Sequence, residues 1–248
     1  MRIVVSLGGA MPRAATSSTT RDLPSLQPGL GTALAPLTRD HDLVIHTGGD
    51  VGRPVLSEPA ACAESVHADV ADLLSLEREL HNALPATKPI AVLLALVELN
   101  PAGTARALPR RILDTRPVEW LLAQSCVVLC ASPAAVAYVA GPRQLKAVDV
   151  SIDAAEASAV LAEDLAADLL VMVTASPMQD GGGLLPQQRR ASFRPEHIAT
   201  DILPAPEQAR VRAAARFAGT RGRSSVIATR EELPQILPAG RGLWIETS

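Results

Sequence analysis

Short apolar runs that stop at turn-forming residues alternate along this chain with stretches of helical periodicity. The strand-like runs are residues 3–7, 42–47, 89–97, 126–131, 169–174, 225–228 and 243–245. Apolar side chains recur at helical spacing in residues 60–83, 118–124, 154–166, 206–218 and 230–237. This alternation predicts an α/β fold, a three-layer αβα sandwich with a mostly parallel central sheet.

The clearest single unit is the stretch 150–174. Asp153, followed three residues later by Glu156, is a capping-box pattern and predicts a helix that begins at residue 154. The run 89–97 is apolar at almost every position, which is typical of a strand covered on both faces. Residues 14–40 are rich in Ser, Thr and Pro and predict a loop with at most a broken helix.

Composition and charge exclude several classes of protein. With 48% apolar residues among 248, the chain is long enough and apolar enough to bury a substantial core. Its net charge of −3 provides no basic surface for nucleic acid. No apolar run approaches the roughly 18 residues of a membrane span, and no segment resembles a signal peptide. We therefore expect a cytoplasmic protein that binds neither nucleic acid nor membrane.

The three cysteines do not predict a metal site. Cys126 and Cys130 are four residues apart within an apolar run, a spacing that is wrong for a zinc knuckle. No pair of histidines accompanies them. We expect reduced core thiols and no metal ion ligated by these side chains.

Two of the strand-like runs end in paired glycines. Gly8 and Gly9 follow the first run, and Gly48 and Gly49, with Asp50 behind them, follow the second. Because glycine has no Cβ, its backbone N–H groups can approach a phosphate closely at the start of a helix. Each pair alone is compatible with an ordinary turn, but the two together favour an α/β protein that handles phosphate.

Several blocks, in order along the chain, resemble the amino acid kinase family and, within it, the carbamate kinases. They are residues 1–9, 42–50, 63–65, 80–84, 97–98, 109–112 and 152–174. The last block is similar, almost residue for residue, to the family's nucleotide-side helix and strand. The resemblance implies one amino acid kinase-like domain over 1–248, with an acceptor-side half at about 1–130 and a nucleotide-side half at about 131–248.

The resemblance also implies a reaction, its cofactors and its residues. The reaction is phosphoryl transfer between ATP and carbamate or another small carboxylate, with ATP or ADP bound together with Mg²⁺ in a homodimer. By position, Asp153 and Arg210 are the candidate catalytic residues, and Thr174 and Lys146 are the candidate nucleotide-binding residues. The four glycines of the paired turns and Asp50 are the candidates for binding phosphate and substrate.

The chain departs from the family at the charged positions. Ala10 follows the first glycine pair in place of asparagine, and Ala154 and Ala155 replace a lysine and an aspartate. Thr174 precedes an alanine rather than an aspartate. Phosphoryl transfer depends on charges that gather and neutralise the phosphates, so these losses weaken the expectation of carbamate kinase turnover.

Two further departures concern a cation and a lid. Arg210 stands where the family has a lysine, and only Lys88 and Lys146 are lysines in the whole chain. Arginine can bind phosphate, but it does not substitute for lysine at a geometrically strict site. Residues 100–108 are too few to form the protruding subdomain that, in the family, covers the acceptor.

Several candidates also have a purely structural interpretation. A role as helix cap is sufficient to explain Asp153. Arg210 also fits a solvated helix face, and Lys146 fits a position on a loop. His46 lies beside the second glycine pair, one position earlier than the family's histidine, and a structural role is favoured for it.

Three hypotheses follow. The chain is an active kinase with a rebuilt set of charges, or an inactive descendant that binds nucleotide or a partner, or a structural subunit without ligand binding. The number of missing charges favours the second over the first.

Overall fold

The secondary structure follows the predicted alternation. The computed structural model describes residues 1–7, 29–47, 73–74, 76–91, 94–95, 111–112, 114–131, 135–139, 144–147, 153–174, 179–180, 183–184, 192–193, 205–219 and 222–246. The strands in these residues are β1 (Arg2–Ser6), β2 (Asp42–His46), β3 (Thr87–Ala91), β4 (Leu94–Ala95), β5 (Arg111–Ile112), β6 (Val127–Ala131), β7 (Ala135–Val139), β8 (Gln144–Ala147), β9 (Leu169–Thr174), β10 (Gln179–Asp180), β11 (Gly183–Leu184), β12 (Ser192–Phe193), β13 (Ser224–Thr229) and β14 (Leu243–Glu246).

The helices occupy the intervals between these strands. They are α1 (Leu30–Leu34), α2 (described at residues 73–74 and 76–81), α3 (Arg116–Ala123), α4 (Ala154–Asp164), α5 (Ala205–Ala218) and α6 (Ile236–Ala239). Two 3₁₀ segments, Ala35–Thr38 and Arg230–Gln235, adjoin α1 and α6.

Eight strands form the main sheet, in the order β12-β14-β13-β9-β1-β2-β6-β3. Every pairing from β13 to β3 is parallel, while β14 runs antiparallel to β13 and parallel to β12. β1 lies between β2 and β9, so the two predicted halves of the chain contribute neighbouring strands to one sheet. The predicted mostly parallel sheet is confirmed.

Each face of the main sheet is covered by helices. Along β1, Val4 points to one face, where the cluster includes side chains of α3, α4 and α5. Ile3 and Val5 point to the other face and pack with side chains from α1, α2 and the segment around Leu233. This alternation follows from the period of two along a strand. The predicted three-layer αβα sandwich is confirmed.

The apolar run 89–97 was expected to be one strand, and that prediction is wrong. The structure divides it between β3, at one edge of the main sheet, and β4, in a second sheet of order β5-β4-β7-β8. A continuous apolar run carries no period that marks where one strand ends and another begins. Pro89 is tolerated in β3 because an edge strand has one side on which an N–H group is not needed.

The predicted helix over 230–237 is mainly a 3₁₀ segment, which passes into the short helix α6. Pro234 lies inside that segment, where its missing N–H disfavours regular α-helical bonding. Thr229 and Glu232 form a reciprocal capping box at its start. The sequence Thr-x-x-Glu contains this signal, although the prediction did not use it.

Candidate functional site

The carboxyl edge of the main sheet is lined by the ends of its parallel strands. β1 ends at Ser6, β2 at His46, β9 at Thr174 and β13 at Thr229. All four side chains are buried. In open parallel sheets this edge is where ligands bind, because strand ends and helix starts meet there.

Helix α4 begins at this edge and ends at the opposite one. Its second turn contacts the end of β1 through a hydrogen bond of 2.7 Å between the hydroxyls of Ser158 and Ser6. At its other end, the carbonyl of Leu165 accepts a hydrogen bond from Arg2, at the start of β1. The free N–H groups of the α4 N-terminus and the positive end of its dipole therefore lie at the carboxyl edge.

Asp153 caps this helix as predicted. Its Oδ1 accepts hydrogen bonds from the backbone N–H groups of Ala155 at 2.8 Å and Glu156 at 3.3 Å. The predicted reciprocal half of the capping box is replaced by an ion pair, since the Glu156 carboxylate binds Arg216 instead. Packing between α4 and α5 thus overrides the local pattern.

Arg210 lies in the half of α5 that is closest to the carboxyl edge. The direction of α5 follows from Ser225, near the start of β13, whose hydroxyl donates to the carbonyl of Ala214 at 2.8 Å. Arg210 is only 9% exposed, which excludes the solvated-face interpretation for this residue. Arg212, two positions later, is exposed and fits that interpretation.

The charge of Arg210 has no close partner among the described residues. Within that part of the chain, no group forms a hydrogen bond with it or an ion pair within 4.0 Å. Burial lowers the pKa of Arg210, and the more distant carboxylates of Glu207 and Asp153 oppose that shift. The group remains a guanidinium because its ordinary pKa is so high. A buried cation thus lies near the capped end of α4.

Arg216, on the same helix, has the opposite environment. It bridges two carboxylates of α4, binding Glu156 and, through Nε at 3.0 Å, Glu163. This arginine is committed to joining α4 to α5. Of these two buried or half-buried arginines of α5, Arg210 is the one with no carboxylate within 4.0 Å among the described residues.

His46 and two serines form a buried cluster at the same edge. His46 Nδ1 lies 2.7 Å from the hydroxyl of Ser158, which also contacts Ser6 and the carbonyl of Ala154. His46, Ser158 and Ser6 are at most 2% exposed. Burial lowers the pKa of His46 to about 4, so the imidazole is neutral at pH 7. The sequence prediction identified neither serine, although Ser158 is a polar residue on an otherwise apolar helix face.

The remaining predicted site residues fall into two groups. Thr174 ends β9, opposite Thr229 of β13, and is 5% exposed. Lys146 was expected on a loop, and that prediction is wrong, because it lies on β8 of the second sheet, opposite Ala137. Gly8, Gly9, Gly48, Gly49 and Asp50 lie outside the described residues.

No group of three or more His, Cys, Asp or Glu side chains among the described residues is arranged to hold a metal ion. None of the helices in that part of the chain is long and apolar enough to cross a membrane.

The whole chain is similar in sequence to carbamate kinases. No family model matches it. It is 28% identical to the carbamate kinase of Rhizobium meliloti, over 100% of this chain and 94% of that protein. It is 27% identical to the carbamate kinase of Haemophilus influenzae, over 99% of this chain and 96% of that protein. The chain is a carbamate kinase homologue.

Solved structures of carbamate kinases also resemble the fold of this chain. Carbamate kinase from Giardia lamblia bound to AMP-PNP matches with a TM-score of 0.76 at 16% identity, covering 100% of this chain and 98% of that one. The homologue therefore has the α/β fold of that carbamate kinase structure. The alignment with the Rhizobium meliloti protein runs over 305 positions, which is more than the 248 residues of this chain. The Rhizobium meliloti protein therefore has residues at positions where this homologue has none.

Two of the predicted charge losses lie in the described part of this scaffold. Ala154 and Ala155 are 5% and 4% exposed, in the first turn of α4. They pack in the place where the resemblance leads one to expect a lysine and an aspartate. The α4 N-terminus at the carboxyl edge consequently has backbone donors and the Asp153 cap, without those two charges.

Proposed function

We propose that this homologue binds ATP or ADP through its phosphates at the carboxyl edge of the main sheet, and that it phosphorylates carbamate far more slowly than a carbamate kinase. The observation that carries the proposal is the buried guanidinium of Arg210, without a close partner among the described residues, near the start of α4.

The physical basis is electrostatic. Burying a cation is costly unless it is paired, and a ligand anion supplies the missing partner. A guanidinium can bind phosphate through two parallel hydrogen bonds, and the helix dipole adds a favourable contribution. The AMP-PNP bound by the Giardia lamblia carbamate kinase contains phosphates of this kind, which supports a nucleotide as the ligand here.

The slow transfer follows from the residues at the start of α4. Removing one preorganised group from a transition-state site commonly lowers the rate by about 10²–10³-fold. Alanine at both positions 154 and 155 removes two such candidates, and neutral His46 supplies no compensating charge. Nucleotide binding needs fewer of these charges than transfer does, since transfer alone develops new charge on the phosphoryl group.

Magnesium fits this proposal only as part of the nucleotide. It prefers several oxygen ligands, and Asp153 is the described carboxylate closest to the α4 N-terminus. Its Oδ1 already accepts two backbone N–H groups. Mg²⁺ would therefore be held mainly by the phosphates and by water, and its chemical contribution would be to neutralise phosphate charge.

The first test measures ADP binding by titration calorimetry in the presence of Mg²⁺. Charge-assisted hydrogen bonds contribute about 1.5–3 kcal/mol, so we expect Arg210→Ala to weaken binding about 10–100-fold. Arg212→Ala is the matched control, because it removes an exposed arginine two positions away on the same helix. Equal affinities for both variants would exclude Arg210 as the phosphate ligand.

The second test measures ADP formation from ATP, Mg²⁺ and carbamate with the intact protein. We expect a rate several orders of magnitude below the roughly 10 s⁻¹ that is typical of enzymes. Turnover at ordinary enzyme rates would refute the slow-transfer part of the proposal. Failure of the wild-type protein to bind ADP would favour a purely structural subunit instead.

A further inference from the structure

The Ser158 hydroxyl is the centre of the buried cluster at the carboxyl edge. Among the described residues, three groups lie within hydrogen-bonding distance of its oxygen: Ser6 Oγ and His46 Nδ1 at 2.7 Å, and the carbonyl of Ala154 at 2.8 Å. Ser6 and His46 stand directly opposite each other as the last residues of β1 and β2. One side chain of α4 therefore contacts the ends of two neighbouring strands.

The number of protons restricts how these contacts can be satisfied. A hydroxyl donates one hydrogen bond and accepts two. The Ser158 hydroxyl donates its one proton toward Ser6 Oγ and the Ala154 carbonyl, so His46 Nδ1 must donate to Ser158. His46 in this arrangement is the neutral tautomer with its proton on Nδ1, in agreement with a burial that disfavours the charged ring.

We propose that Ser158 is a positioning residue of the nucleotide-phosphate site. By donating to Ser6 and accepting from His46, it holds the second turn of α4 against the ends of β1 and β2. That contact fixes the position of the α4 N-terminus at the edge where Arg210 lies. This inference rests on the proposed function, because the positioned groups are those assigned there to the phosphates.

Ser225 provides a matched control. It is also a serine with 0% exposure, and its hydroxyl also donates to a helix carbonyl at 2.8 Å. It lies near the start of β13, at the opposite edge of the sheet. Ser225→Ala therefore removes the same kind of buried hydrogen bond without altering the carboxyl edge.

The experiment compares Ser158→Ala with Ser225→Ala for thermal stability and for ADP affinity by calorimetry. We expect both variants to unfold at lower temperature, and only Ser158→Ala to bind ADP more weakly, by about tenfold. Equal affinity of Ser158→Ala and the wild type would overturn the positioning role while leaving the proposed function intact. Absence of ADP binding by the wild type would contradict both proposals.

Nitrogen NMR of the histidine rings gives an independent readout in the absence of nucleotide. We expect wild-type His46 at pH 7 to be neutral with its proton on Nδ1, and Ser158→Ala, but not Ser225→Ala, to change that tautomer. A wild-type ring protonated on Nε2 would overturn the inference, because Ser158 would then donate to His46 rather than accept from it.

Discussion

The two edges of the main sheet use arginine in opposite ways, with Arg2 half-buried at one and Arg210 buried at the other. At the amino edge, Arg2 donates its backbone N–H to Asp168 at 2.7 Å and its Nη1 to the Leu165 carbonyl at 2.5 Å, and its Nε lies 3.6 Å from Asp42. At the carboxyl edge, Arg210 is more deeply buried and has only distant carboxylates among the described residues.

This difference separates a structural from a functional use of charge. A buried ion that is paired within the fold stabilises it, or at least costs little, whereas a buried ion without a partner lowers stability. At the amino edge, Arg2 has a carbonyl and a carboxylate near its guanidinium, although its Nε forms no hydrogen bond within the fold. At the carboxyl edge, the described residues place no close partner beside Arg210.

The largest expected effect comes from acid acting on the carboxyl edge. Folding lowers the pKa of His46 from 6.5 to about 4, so between these values the unfolded chain binds a proton that the folded chain does not. The stability is fully present above about pH 6.5 and is lost as the pH falls toward 4, by about 3 kcal/mol in total. Urea unfolding at pH 7.5 and pH 4 measures this difference.

The control for this prediction separates the effect of His46 from that of the other titrating groups, by replacing one histidine at a time. His46→Asn should lose most of the pH dependence, while His81→Asn, at an exposed position, should retain it. Glu156 and Asp164, whose pKa values burial raises, are unchanged in both variants. The same loss of stability with acid in all three proteins would show that His46 is not buried as a neutral ring.

The next effect compares the two arginines directly. Arg2→Met removes a guanidinium that the fold has paired, and we expect it to lower the free energy of unfolding by about 1.5 kcal/mol. Arg210→Met replaces a buried cation that has no close partner among the described residues by an apolar chain, and we expect no loss of stability, or a gain of about 1 kcal/mol. Urea unfolding without nucleotide checks both. Equal losses would break the comparison, because Arg210 would then be structural as well.

The smallest effect concerns Asp153, for which capping and ligand binding are separable. Asparagine caps a helix about as well as aspartate, whereas alanine does not. We expect Asp153→Ala to lower the free energy of unfolding by about 1 kcal/mol and Asp153→Asn to change it by a few tenths. If Asp153→Asn nevertheless weakens ADP binding in Mg²⁺ more than tenfold, the carboxylate has a role in the site beyond capping.

Much of the fold could be predicted because its signals are local. The apolar runs of β1 and β2 and the Asp153 cap depend on residues within a few positions of one another, and these predictions are confirmed. The prediction of a single strand over 89–97 was wrong because a uniformly apolar run contains no signal that marks where one strand ends. The prediction that Glu156 completes the capping box with Asp153 was wrong because Arg216, 60 residues away, binds the Glu156 carboxylate.

The sequence by itself determined the layered α/β scaffold, the helix start at Asp153 and the absence of charge at Ala154 and Ala155, since periodicity and residue identity are properties of the chain. Only the tertiary structure decided which side chains meet. His46 and Ser158 are 112 positions apart, and Ser6 and Ser158 are 152 apart, and parallel pairing of β1 and β2 beneath α4 brings them together. Burial of Arg210, and not of Arg212, depends likewise on which face of α5 packs against the sheet.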